Sequence, residues 1–244
     1  MLIATKDRKV TNRATPNGKI ASIANTFCLP SGKAFSCPDA TEYCSTICYA
    51  GRLEKVFKGF RNNVLSNWEA IQGMNEDEMV DALSAIVYAF HKQTTKWIAK
   101  GEDVSPIFRI HADGDFFSEE YTNAWLRVID LFDDIQFWVY TRSAVAAMSI
   151  HRKGLKNVAL YFSSDPQNVN VAAMLNNMYG INIAHVDETF DDGEDTLEGW
   201  GIKAVRCPEN NGSLPLISEK GSACDVCGLC VNGRANVRFS RTKK

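Results

Sequence analysis

Ile107-Phe108-Arg109-Ile110-His111-Ala112-Asp113-Gly114-Asp115-Phe116-Phe117-Ser118 is the stretch from which the fold can be read. Ile107–Ile110 is short and apolar apart from one arginine, the pattern of a strand buried in a parallel sheet. The polar group His111, Asp113 and Asp115 follows at once, and Gly114 permits a turn there. Ser118 then caps a predicted helix with Tyr121, Trp125, Val128, Ile129 and Phe132 on one face. Strand, polar turn and helix together make half of a βαβ unit.

The same alternation runs on downstream. Strands are expected at Phe137–Tyr140, Val158–Phe162, Ile181–Val186 and Ile202–Val205, with helices at Ala144–His151 and Val169–Tyr179. Alternation of this kind implies a parallel sheet. Upstream, 52–100 reads as two helices. The first carries Leu53, Val56, Phe57, Phe60, Val64, Leu65, Trp68 and Ile71 at helical spacing and closes at Gly73. The second opens on Asn75 with Glu78 three residues on, a capping box. A strand near Ile20–Phe27 brings the total to about six, so the expected fold is α/β, a partial (β/α)6-type barrel. A doubly wound open sheet is the alternative, because strand order is not readable here. The expected division is a barrel domain over 1–206 with an N-terminal cysteine-rich loop, and a cysteine-rich segment over 207–244 packed on it.

Polar residues recur just after the strands. His111, Asp113 and Asp115 are followed by Thr141 and Arg142, then Ser163, Ser164 and Asp165, then Asp187 and Glu188, then Cys207. In α/β folds the C-terminal strand ends line the working site, so the repetition points to that edge. The bland reading of the first group is a turn in which Asp115 or Ser118 caps the next helix. His91, His151 and His185 read as structural, and the five tryptophans as residues of core faces.

The chain has 244 residues, with 27 Lys+Arg against 29 Asp+Glu, 45% hydrophobic and 23% charged residues. That composition excludes disordered and collagenous classes. No run approaches the ~18 apolar residues of a membrane span, and the N-terminus turns polar too soon for a signal peptide. A cytoplasmic protein without membrane contact is expected. Charge is uneven: Lys6, Arg8, Lys9, Arg13 and Lys19 face only Asp7 near the start. Arg234, Arg238, Arg241, Lys243 and Lys244 end the chain, and Asp187–Glu198 holds seven acids. Basic ends suit nucleic acid, although solvated termini read the same way.

The eight cysteines fall into two groups. Cys207, Cys224, Cys227 and Cys230 carry two-residue gaps in the final run and a Cys-Pro step, spacing that iron–sulfur clusters use. Four-cysteine zinc sites more often come as two separated knuckles, so zinc is the main competitor. Disulfides fit an intracellular chain poorly. Cys37, Cys44 and Cys48 have wider gaps. Three ligands on one loop would hold three corners of a cubane and leave one iron open. Cys28 is a fourth ligand or a small core residue.

Several blocks resemble one phage family. They are Phe27-Cys28-Leu29-Pro30-Ser31-Gly32, Cys37-Pro38, Cys44 and Cys48-Tyr49-Ala50, together with Phe108–Ser118 and Trp125-Leu126-Arg127. Phe137–Arg142 and the terminal cysteine run complete the set, which is similar to the phage gene-product-88 family over roughly residues 20–232. That family is in turn similar to radical-SAM-like proteins. The resemblance implies a partial barrel with a [4Fe-4S] cluster on Cys37, Cys44 and Cys48, Tyr49 beside the last ligand, and an auxiliary cluster on Cys207, Cys224, Cys227 and Cys230. The gaps here are six and three residues, where radical-SAM proteins have three and two, and no Gly-Gly-Glu motif is present.

The resulting expectation is an iron–sulfur enzyme of unknown substrate. It would bind one or two [4Fe-4S] clusters and S-adenosyl-L-methionine, with zinc as the alternative metal. Its reductant would be a flavodoxin or ferredoxin. His111, Asp113, Asp115 and Arg142 are the candidate catalytic residues, placing ligand or substrate. Tyr49, Asp113, Asp115, Thr141 and Ser163 are the candidate cofactor contacts. The competing expectations are a metal-stabilised nucleic-acid-binding or regulatory protein, and a divalent-metal nuclease centred on Asp113 and Asp115.

Overall fold

The computed structural model describes residues 1–10 and 23–241. β1 (Ala4–Thr5) and β2 (Thr26–Phe27) precede α1 (Glu42–Ile47), α2 (Tyr49–Val56), α3 (Lys58–Ile71) and α4 (Glu76–Ile98). The alternating series is β3 (Ile107–Ile110), α5 (Glu119–Leu131), β4 (Gln136–Thr141), α6 (Ala144–Lys153), β5 (Val158–Ser164), α7 (Val169–Tyr179), β6 (Asn182–Asp187), α8 (Phe190–Glu198) and β7 (Val205–Arg206). β8 (Ile217–Ser218), β9 (Gly221–Ser222), α9 (Ala223–Cys227) and β10 (Val237–Ser240) follow.

The fold is mixed α/β around a mostly parallel eight-stranded sheet in the order β1-β2-β3-β4-β5-β6-β10-β7. β1 runs antiparallel to β2, and every other pairing is parallel. From β2 to β6 the order never reverses, which excludes the doubly wound alternative, since that fold needs a reversal point. Right-handed crossovers advancing in one direction place their helices on one face. Phe108, Ile110, Phe137 and Val139 accordingly pack against α4, α5 and α6, while Phe162 and Ile183 pack against α7 and α8. The alternate residues Ile107, Trp138, Ala159, Tyr161, Ala184 and Val237 face the other way, onto Val10, Cys207, Cys230 and Val231. The sheet is open, with β1 and β7 as its edges, so no barrel closure is shown.

The local signals explain the elements. Asn75 and Glu78 form the expected capping box of α4, and Ser118 Oγ accepts from Tyr121 N at the start of α5. The first predicted helix breaks at Phe57 (φ −108°, ψ 90°) into α2 and α3. Its apolar stripe is buried at Val64 and Ile71 but exposed at Leu53, Val56 and Phe57. The strand expected near Ile20–Phe27 is present as Thr26–Phe27, and 20–22 lie outside the described residues.

Two elements lie where only charge was read. The acidic run becomes α8, capped by Thr189 and Asp192. The basic tail contributes β10, inserted between β6 and β7. Arg238 on that strand is buried, and donates to Glu194 Oε2 at 2.6 Å and the Ala204 carbonyl at 2.8 Å. Tyr161 OH donates to the Leu229 and Ala235 carbonyls, tying the cysteine-rich segment to β5. Among the described residues no helix is long and apolar enough to cross a membrane.

Candidate functional site

The turn after β3 is the most constrained stretch of backbone near the strand ends. His111 is the one described non-glycine residue at positive φ (61°), a conformation L side chains adopt only under compensation. Its Nε2 lies 2.7 Å from Tyr121 OH, and its ring packs on Phe116. Burial, with the Arg109 charge adding to it, pushes its pKa down to about 3, so the ring is neutral. Gly114 sits at φ +90°, and a Cβ there would lie 2.7 Å from Ser36 Oγ and 2.9 Å from the Leu29 carbonyl. The turn and the cysteine loop touch through that glycine.

Asp113 and Asp115 are separated by this geometry and do different work. Asp115 accepts from Thr141 Oγ1 (2.6 Å), Arg142 N (2.8 Å) and Phe116 N (2.8 Å). Burial pushes its pKa up to about 6 even so. It ties the β3 turn to the end of β4. Asp113 is buried, and neither carboxylate oxygen has a hydrogen-bond partner of ordinary geometry among the described residues. Burial, and then the neighbouring Glu54 carboxylate, push its pKa up to about 8. Sequence reading missed Glu54. Its Oε1 accepts from Ser31 N (2.9 Å) and Ser31 Oγ (2.6 Å), and the available signal was its isolation as the one acid among the cations of 52–61.

The cysteine loop crosses the C-terminal strand ends and is fastened at several of them. Leu29 N donates to the Asp113 carbonyl after β3 (3.0 Å). Thr41 Oγ1 donates to Asp165 after β5 (2.5 Å), where Arg142 Nη1 also donates (2.6 Å). Tyr43 OH donates to Glu188 after β6 (3.2 Å). The loop thereby sets Cys37 beside Asp115, and Cys44 beside Arg142 and Cys48. Burial, with Asp115 adding to it, pushes the Cys37 thiol up to about 12, and burial also raises Cys44 against the opposing Arg142 charge. Cys48 Sγ accepts from Gly51 N at the start of α2. Tyr49 OH donates to the Ala112 carbonyl (2.6 Å) and accepts from Arg109 Nη2 (3.3 Å).

The remaining sequence candidates are placed less centrally. Cys28 is wholly buried, and its thiol accepts from Thr5 Oγ1 (3.3 Å), so it sits in the core under β2. Ser163 lies on the helix-free face of β5, where its carbonyl accepts from Asn168 Nδ2. His185 is a core group, 2.9 Å from Ser164 Oγ through Nδ1.

Cys207, Cys224, Cys227 and Cys230, two of them from α9, line one small cavity on the face opposite the crossover helices, with Leu229 and Val237. The Cys207 thiol receives backbone N–H groups from Glu209 and Asn210, and burial raises it. Burial also raises Cys224, and pushes Cys230 up to about 11. Cys224 N donates to the Lys9 carbonyl (3.0 Å). Arg109, buried beside this group, pairs with Asp7 (2.5 Å) and stacks 4.6 Å from the Trp138 ring centre. Among the described residues no three His, Cys, Asp or Glu side chains converge in metal-binding geometry. That holds for Asp113 and Asp115 and for both cysteine groups alike.

The basic ends do not form free arms over their described parts. Lys9 pairs with Glu209 (3.0 Å), Arg238 with Glu194, and Arg241 with Glu188 (2.7 Å). Arg13, Lys19, Lys243 and Lys244 lie outside the described residues.

Comparison with known proteins agrees with the resemblance to the phage family that was read over roughly residues 20–232. The family described as "Gene product 88" matches residues 1–233, a span that includes all eight cysteines. The "Gene 88 protein" of Mycobacterium phage L5 is 50% identical over 243 residues, covering 98% of each chain. The "Gene 88 protein" of Mycobacterium phage D29 is 49% identical over 244 residues, again covering 98% of each.

Proposed function

The chain belongs to the gene product 88 family, and from that premise we propose that it is an iron–sulfur protein with a reactive site at its strand ends. The observation that carries the reading is the fastening of the cysteine loop across the ends of β3, β5 and β6, which gathers Cys37, Cys44 and Cys48 on the edge where α/β enzymes work. The singly wound sheet with helices on one face supports a partial-barrel, radical-SAM-like ancestry.

The donor chemistry fits two metal groups. Cys207, Cys224, Cys227 and Cys230 already line one cavity. Backbone N–H groups aimed at Cys207 stabilise a thiolate. Cys37, Cys44 and Cys48 supply three thiols with neighbouring polar groups. A cluster held by three cysteines supplies an iron with an open coordination position and a route for single electrons. Around it, this chain's residues divide the work. Arg142, fixed by Asp165, presents a cation beside Cys44. Asp113, protonated up to about pH 8 beside Glu54, presents a carboxyl group suited to an amino group or alcohol of a ligand such as S-adenosyl-L-methionine. His111 and Asp115 position that turn from behind.

Anaerobic reconstitution with iron and sulfide tests this reading. Two distinct reduced-cluster signals in electron paramagnetic resonance are expected, one lost in Cys44→Ala and the other in Cys224→Ala. A chain that takes up only zinc and stays colourless contradicts it.

A further inference from the structure

The exposed half of the α2–α3 stripe has no partner within the chain. Leu53, Val56 and Phe57 stand at i, i+3 and i+4, and so share a face, yet they are 39%, 69% and 56% exposed. Adjacent apolar groups left in water mark contact surfaces. Arg52, Lys55, Lys58 and Arg61 are all exposed among them, and none of the four makes an ion pair among the described residues. Glu54, the one acid of this stretch, is turned inward to Ser31 and Asp113. Four cations therefore stand unopposed on one corner of a chain whose net charge is −2.

We propose that this corner binds single-stranded nucleic acid, with phosphates on the four cations and bases against Phe57 and the exposed ring of Tyr49. Two features favour a nucleic acid over an acidic protein. Protein interfaces gather apolar groups at a charge-depleted centre, whereas here the cations alternate with Leu53, Val56 and Phe57 along the chain. Single strands are held by such a mixture of basic groups and aromatic faces. A bend between two helices with an exposed aromatic at it offers stacking to unpaired bases and no groove reader for a duplex. α2 starts at the residue after Cys48, so a strand bound here lies at the rim of the strand-end site. The inference does not depend on iron binding, and its test is made on the chain as purified.

Fluorescence anisotropy with labelled 20-nucleotide DNA and RNA probes of mixed sequence decides it. The wild type is expected to bind at low salt, with affinity falling linearly in log–log salt plots. Lys55→Ala/Lys58→Ala removes two phosphate contacts and should reduce that slope by about 1.4. Phe57→Ala should weaken binding about five-fold or more with an unchanged slope. Lys96→Ala/Lys100→Ala, at the end of α4 and in the turn after it, should bind like the wild type. Circular dichroism checks that the variants are folded. Absence of binding at low salt overturns the proposal, as does binding indifferent to Lys55, Lys58 and Phe57. Binding to anionic vesicles or to an acidic protein with no affinity for the probes overturns it as well.

Discussion

Gly114 and Asp113 carry the sharpest consequences at the scale of single residues. Gly114→Ala combines positive φ with a Cβ driven against Ser36 and Leu29. It should cost about 2 kcal/mol or more of stability in urea unfolding and loosen the cysteine loop, which proteolysis within 28–48 would report. Asp113 gives a pH dependence of definite sign. Its ordinary value is 3.8 and its folded value about 8, so between these the folded state binds the extra proton. Stability then falls as pH rises, and the loss is complete near pH 8. Asp115, raised to about 6, adds a decline of the same sign that is half complete there and fades above it. His111 and His185, whose folded values are lowered by burial, contribute the opposite slope, which fades as pH passes their ordinary 6.5. From about pH 7 to 8 the decline therefore belongs mainly to Asp113. Urea midpoints of the metal-free chain should fall over that interval in the wild type and stay flat in Asp113→Asn.

At the scale of elements, β10 is the piece on which the sheet depends. It lies between β6 and β7, which do not pair with each other. A chain ended at residue 232 loses both pairings and leaves Glu194 without Arg238. It should be aggregated or unfolded by size-exclusion chromatography and circular dichroism. Elution as a folded monomer would show that β10 is dispensable. This strand also marks a limit of sequence reading. Val237-Arg238-Phe239-Ser240 looks like part of a basic tail because Arg238 and Arg241 dominate it, and nothing local announces that Glu194 neutralises the first. α8 was hidden likewise by its acids, although Thr189 and Asp192 are an ordinary capping signal. Elements with apolar periodicity, such as β3 to β6 and α4 to α7, were legible because burial alone selects their residues. At the site, the cysteines and strand-end polar residues were visible as types and spacings. The pairing of Glu54 with Asp113, the sheltering of Cys28, and Arg109 between Asp7 and Trp138 were not, because they join residues distant in sequence.

At the scale of the whole molecule, the sheet separates two cysteine groups. One lies along the C-terminal strand edge, and the other on the face opposite the crossover helices, between the N-terminal segment and the C-terminal stretch. Buried, raised thiols such as Cys37 and Cys230 must lose protons to bind metal, so uptake should release protons and weaken as pH falls. Both groups are proposed as cluster sites, and the most direct measurement of that is the iron and acid-labile sulfide per chain after anaerobic reconstitution and removal of unbound metal. About eight irons and about eight sulfides are expected, two four-iron clusters in each chain. A chain without iron, whose thiols remain free or hold only zinc, would contradict it.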